Sequence, residues 1–202
     1  MTQKNKSEQL NKVHQKWLVE CNCELKNTAT QGVPGEGNPN AELVFIGEAP
    51  GKSEDKEGRP FVGAAGKFLQ DMLSSIKLNR ADVYITNVVK YRPPNNRDPL
   101  PEEVASCAKW LQEELAIIQP TLIILLGKHA LERFFPGEKI SQVHGKILKK
   151  KTLIGNYFFA LYHPAAALYN GSMREVLIAD FQKLPKVLEK ISAQGGPASG
   201  GK

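Results

Sequence analysis

The chain has 202 residues, 41% of them hydrophobic and 24% charged, with a formal net charge of +6 and three cysteines. That length supports one domain with a sizeable core. No apolar run approaches the roughly 18 residues of a membrane helix, and three cysteines are too few for a disulfide scaffold. Their odd number fits a reducing, cytoplasmic setting. The N-terminal stretch MTQKNKSEQLNK has no apolar segment of the kind a secretory signal needs. The positive balance suits a polyanionic partner, although an ordinary basic enzyme carries it too. Most basic residues are scattered, and Lys149-Lys150-Lys151 reads as a solvated hairpin or loop.

In chain order, residues 1–6 read as a frayed terminus. Leu10, Val13, Trp17 and Leu18 then recur at helical spacing between Ser7 and Val19. A Gly/Pro/Asn-rich loop covers 31–40, and AELVFIG (41–47) is a buried strand. Gly63 to Lys77 is a helix with Phe68, Leu69, Met72 and Leu73 on one face, and DVYIT (82–86) is a second strand. Pro101 opens a long helix whose first turn is acidic, as the helix dipole prefers. TLIILL (121–126) is a wholly apolar, central strand. Lys128 to Phe135 is helical, YFFAL (157–161) is a fourth strand, and Met173 to Ile191 is a closing helix. The end of the chain, 192–202, is a Gly-rich flexible tail, so 7–191 forms one domain.

Strands alternating with helices predict an α/β fold. The expected architecture is a single-domain three-layer α/β/α sandwich around a central four-stranded parallel sheet. Ligands in such folds bind beyond the carboxyl ends of the strands. The residues there are GEAPG (47–51), Asn87, Gly127-Lys128-His129 and Tyr162-His163-Pro164. An acid, an amide and an imidazole therefore converge from distant parts of the chain.

Each has a functional and a plainer reading. The GEAPG turn lets backbone approach a ligand closely, or is simply a tight turn; it matches neither GxxxxGK[ST] nor GxGxxG. Asn87 offers a donor and an acceptor side by side, complementary to the imide edge of uracil and mismatched to cytosine, or it caps a turn. His163 could donate a neutral imidazole N–H to charge developing on a leaving base, or be structural; Pro164 restricts its backbone. Phe61, between Pro60 and Gly63, could stack on a flipped base or lie in the core. His14, His129 and His144 lack such context, and His14 reads as a surface residue of the first helix.

The motifs together resemble family 4 of the uracil-DNA glycosylases, from about Cys23 to about Leu188. The blocks are VPGEGNP (33–39), VFIGEAPGKSEDKEGRPFVGAAGKFL (44–69), VYITNVVKYRPPNNRDPLPEE (83–103), LLGKHA (125–130), VHGK (143–146) and YHPAAALY (162–169), in the family's order. The resemblance implies a monomeric, monofunctional glycosylase of base excision repair. It would flip uracil out of double- or single-stranded DNA and hydrolyse the N-glycosidic bond. It assigns the base pocket to Glu48 and Ala49, stacking to Phe61, edge reading to Asn87 and anion stabilisation to His163. It gives Glu54 the exclusion of thymine at C5. His144, Gly145, Leu168, Ser172 and Arg174 would contact DNA; where the family often has Arg-Gly, this chain has His144-Gly145. Another family of these enzymes has an aspartate at the position of Ala49, which leaves Glu48 to position the attacking water. No nucleophilic lysine stands in the motif set, so no Schiff base and no built-in strand cleavage are expected.

The family usually carries an iron–sulfur cluster on four cysteines. The resemblance aligns those ligands with Glu20, Cys23, Tyr91 and Cys107, so only Cys23 and Cys107 remain, with Cys21 displaced by one residue. No cluster and no other cofactor is expected. Tyr91 should fill the vacated space, with its hydroxyl near Glu20 or another polar group. Two alternatives stay open: a glycosylase of broader range acting also on hypoxanthine or xanthine, and a uracil-DNA binding protein that does not cut or that traps DNA covalently.

Overall fold

The computed structural model describes residues 3–193. Helix α1 (Gln3–Glu20) begins four residues before the expected Ser7 and buries Leu10, Val13 and Trp17. After β1 (Glu36–Gly37) comes β2 (Leu43–Gly47), the predicted first buried strand trimmed by two residues. Then follow α2 (Lys52–Glu57), α3 (Ala64–Ser75), β3 (Tyr84–Asn87) and α4 (Pro101–Ile118), which does open on Pro101 with Glu102 and Glu103 in its first turn. The second half runs β4 (Leu122–Leu126), α5 (Lys128–Phe134), α6 (Ile140–Val143), β5 (Ile147–Lys149), β6 (Tyr157–Leu161), α7 (Ala166–Tyr169), α8 (Gly171–Phe181) and α9 (Leu184–Ala193). Most of the predicted tail lies outside the described residues.

The sheet has six strands in the order β1-β3-β2-β4-β6-β5, so the expected count of four is corrected. The four predicted strands form its parallel centre, and the two additional edge strands pair antiparallel. Those edges are two and three residues long, too short to show the two-residue period. The expected closing helix is two helices, α8 and α9. Pro185, in the first turn of α9, has no N–H to donate to Phe181, so one helix cannot run through.

The central strands alternate their side chains between two cores. Val44, Ile46, Ile123, Leu125, Phe158 and Ala160 pack toward α1, α4 and α5. Leu43, Phe45, Leu122, Ile124, Phe159 and Leu161 pack toward α3, α8 and α9. Both faces are covered, which is why these runs are continuously apolar.

One charged cluster lies inside this packing. Lys90, fully buried, donates to Glu114 Oε2 and Thr86 Oγ1, each at 2.6 Å. His14 is not a surface residue: its Nε2 lies 3.2 Å from Glu114 Oε1 and 3.3 Å from the Tyr84 hydroxyl. Burial would raise the pKa of Glu114, but Lys90 and His14 outweigh it and hold the carboxyl at about 2. The cluster ties α1, β3 and α4 together immediately behind Asn87.

Candidate active site

The chain runs from β2 to β3 on one side, then crosses to β4 on the other. The topological switch point therefore lies between β2 and β4, where a crevice opens beyond the strand ends. Gly47 and Asn87 are register partners there, as are Leu126 and Leu161. A cleft of about 350 Å³ occupies this position, lined in part by Glu48, Ala49, Glu54, Phe61, Asn87 and His163. The fold thus gathers all six residues assigned to the base pocket, across 115 positions of sequence from 48 to 163.

Close approach of Asn87 and Phe61 depends on Gly47, because a Cβ there would collide with Asn87 Oδ1 and Phe61 Cζ. Asn87 is buried, and its Oδ1 has no hydrogen-bond partner within the protein. A buried acceptor without a partner costs on the order of 1–3 kcal/mol, a cost that an N–H donor arriving in the cleft would remove.

Phe61 adopts φ +53°, an uncommon conformation for an aromatic residue. Two groups hold it there. Arg80 donates to the carbonyl of Phe61 at 3.0 Å and also to that of Pro60. Glu54 accepts from the backbone N–H groups of Val62 (2.9 Å), Gly63 (2.8 Å) and Gly51 (3.1 Å). One carboxylate therefore laces the GEAPG turn to the PFVG loop. Its three backbone bonds are a task that the resemblance did not assign to Glu54.

His163 faces Phe61, with ring centroids 5.6 Å apart. Burial depresses its pKa from 6.5 to about 4; Glu54 opposes the shift and His129 adds to it. The ring is therefore neutral near pH 7. Its Nδ1 accepts the backbone N–H of Ala165 at 3.2 Å, so the single ring proton sits on Nε2. A neutral N–H donor, the form expected from the sequence, follows from these two facts.

Glu48 is partly buried, and desolvation raises its pKa. His129 and Lys128 act against this rise, and Asp98 adds to it. His129, passed over in the sequence, places Nε2 at 3.6 Å from Glu48 Oε2 and 3.1 Å from Asp98 Oδ2. Its position in the first turn after β4, across the switch point from Glu48, was the available signal. The loop before α4 was also missed as a wall: Pro93, Asn96, Arg97 and Asp98 all line the cleft. Arg97 fixes this loop through two bonds to Glu103, which in turn accepts from Leu100 N–H at 2.7 Å and caps α4.

None of the five expected DNA contacts lines the cleft. His144 bonds Asp180 at 2.6 Å and packs on Tyr162 with centroids 4.7 Å apart. Gly145 has φ +68°, and a Cβ there would strike Asp180. Leu168 and the neighbouring Tyr169 are exposed, and Ser172 bonds the Asn170 side chain that caps α8. Arg174 is exposed, with its guanidinium 4.2 Å over the Phe68 ring.

Cys21, Cys23, Cys107 and Tyr91 share one buried pocket between α1 and α4. Interaction with the neighbouring Cys21 and Cys23 thiols, together with burial, holds the Cys107 proton well above the usual thiol range. Cys21 and Cys23 also reach the carbonyls of Ser106 (3.7 Å) and Glu103 (3.9 Å). The Tyr91 ring sits edge-on to Trp17 at 5.3 Å. The expected hydroxyl partner is corrected: Tyr91 Oη has none within the protein, and Glu20 is exposed and faces Lys16 at 4.0 Å. A four-thiolate cluster does not fit this set, which offers three thiols and a bulky, hard phenol oxygen.

A doubly covered parallel sheet with an amide, an imidazole, an aromatic ring and a carboxylate around its switch-point cleft defines an α/β protein built to hold a small planar polar ligand. The sequence profile of the uracil DNA glycosylase superfamily matches residues 34–190, and the chain belongs to that superfamily. It is 49% identical over 178 residues to the type-4 uracil-DNA glycosylase of Archaeoglobus fulgidus, covering 83% of this chain and 87% of that protein. The type-4 uracil-DNA glycosylase of Sulfurisphaera tokodaii is also 49% identical over 178 residues, covering 83% and 80%. That of Saccharolobus solfataricus is 47% identical over 177 residues, covering 82% and 80%.

Proposed function

We propose that this protein is a uracil-DNA glycosylase of base excision repair. It takes a deoxyuridine out of the DNA stack and hydrolyses its N-glycosidic bond, releasing uracil and leaving an abasic site. The observation that carries the reading is the buried, unpartnered amide oxygen of Asn87 in the cleft. It is an acceptor for the N3–H of uracil, and its amide N–H₂ is a donor for O4. Cytosine, with N3 an acceptor and an amino group at position 4, mismatches both.

Phe61 stacks on the base, and backbone around Glu48 and Ala49 contacts it. As the C1′–N1 bond breaks, its electron pair goes to uracil. The His163 Nε2–H donates to O2, where negative charge builds, and being neutral it does so without giving up its proton. Glu48 positions the water that adds to C1′ and accepts its proton. Glu54 narrows the C5 side of the pocket against thymine. His144, Gly145, Leu168, Ser172 and Arg174 contact the DNA backbone and minor groove. The protein acts as a cytoplasmic monomer on double- or single-stranded DNA. No helix among the described residues is long and apolar enough to cross a membrane. The pocket of Cys21, Cys23, Cys107 and Tyr91 holds α1 to α4 by packing and thiol hydrogen bonds, without a cluster or any other cofactor.

Duplex and single-stranded oligonucleotides, each with one uracil, hypoxanthine, xanthine or thymine, are the test. Release of uracil, loss of that release in Asn87→Ala, and no release of thymine are expected. Binding of uracil-DNA without base release, or a covalent adduct, would refute hydrolysis. Equal release of hypoxanthine and xanthine would widen the substrate class.

A further inference from the structure

Glu48 directly follows β2, and His129 stands in the first turn of α5, just past the end of the adjacent parallel strand β4, on opposite sides of the switch point. His129 Nε2 lies between two carboxylates, 3.6 Å from Glu48 and 3.1 Å from Asp98, and satisfies full hydrogen-bond geometry with neither. The same Asp98 oxygen, Oδ2, also accepts from Lys128 Nζ at 2.7 Å. We propose that His129, steadied by the Asp98–Lys128 pair, is a positioning residue for Glu48: it aims the carboxylate at the cleft and sets the pH at which it works. The proposal rests on the reading of Glu48 as the group that positions water.

The physical basis is electrostatic competition at one carboxylate. Taking Glu48 partly out of water favours its protonated form. Asp98 pushes the same way by like-charge repulsion, while the imidazole, and Lys128 behind it, push the other way. The other titratable or charged groups around the cleft are differently engaged. Glu54 is bonded to three backbone N–H groups, Arg97 is paired with Glu103, and His163 is bonded through Nδ1 to Ala165. A base must be ionised to accept a proton, so activity rises with pH as Glu48 loses its own. Removing His129 takes away the group that favours the carboxylate, and the acid limb should move to higher pH. Removing the charge of Asp98 takes away a group that opposes it, and the limb should move to lower pH.

The test is single-turnover uracil release from a uracil-containing duplex, from about pH 4.5 to 9, for wild type, His129→Gln, Asp98→Asn and Glu48→Gln. His129→Gln is expected to be roughly 3- to 10-fold slower than wild type at the acid end and to converge on it at the alkaline end. Asp98→Asn should displace the limb in the opposite direction. A merely structural role would lower both variants at every pH alike. Superimposable profiles, or displacements in the same direction, would overturn the proposal. Glu48→Gln separates the two levels. If it abolishes the limb while His129→Gln leaves the profile in place, only the inference fails. If Glu48→Gln keeps the wild-type rate and profile, the reading of Glu48 fails with it.

Discussion

Replacing His163 by alanine removes one donor at the point where the leaving base becomes anionic. The structure fixes what is lost. Nδ1 is already occupied by the Ala165 N–H, so the ring has one proton to offer, on Nε2, and the cleft has excluded water enough to depress the ring's pKa to about 4. Loss of one such preorganised donor costs roughly 10²- to 10³-fold in the chemical step, about 3–4 kcal/mol. The donor matters most in the transition state, so DNA binding should change far less than the single-turnover rate. The ratio of wild-type to variant rate should also stay flat from about pH 5.5 to 8, because a ring with a pKa near 4 remains neutral throughout. Burst or single-turnover assays on a labelled uracil duplex measure both quantities. A rate loss under about fivefold would refute the donor role, and a ratio that collapses below about pH 6.5 would refute the neutral ring. Linkage gives a second check. The folded pKa is depressed, so the stability tied to the neutral ring is complete above 6.5 and is lost as pH falls toward about 4. His163→Ala should therefore unfold less steeply with acid over that interval.

Three further outcomes follow from the packing. Lys90→Met leaves Glu114 charged and buried, and should cost about 3–5 kcal/mol in denaturant unfolding, with much of it recovered when Glu114→Leu is added; an unchanged midpoint would contradict the buried pair. Glu54→Ala frees three backbone N–H groups, and should lower stability by about 2 kcal/mol and slow uracil release together, because the Phe61 loop loses its anchor. Stability without a loss of rate, or the reverse, would separate the two tasks. Anaerobically purified protein should contain neither iron nor sulfide in stoichiometric amount; a brown chromophore lost on mutating Cys23 or Cys107 would show that a cluster forms on three thiols.

Much of this molecule is readable in its residue order. The wholly apolar runs at Leu43–Gly47 and Leu122–Leu126 declare buried parallel strands, because only a sheet covered on both faces buries both sides of a strand. With helices between them, the rule that ligands bind at strand ends makes Glu48, Asn87 and His163 a site before any coordinate is known. The motif blocks carry the family. What sequence does not encode locally is whatever depends on which strand lies beside which. The edge strands at Glu36–Gly37 and Ile147–Lys149 exist only because β3 and β6 present unpaired backbone to them. His129 lies in the LLGKHA block, but nothing in that block names its partner, and it becomes a neighbour of Glu48 only because β4 is placed against β2. His14 reads as a surface residue until α1 packs on α4 and encloses Glu114. The proton on His163 Nε2 is likewise a tertiary result, because desolvation and a backbone N–H at Nδ1 are properties of a folded environment and not of a histidine. Periodicity and composition specify which residues must be buried and where strands end; the strengths and charges of the groups at those ends are set by what the fold brings within a few ångströms of them.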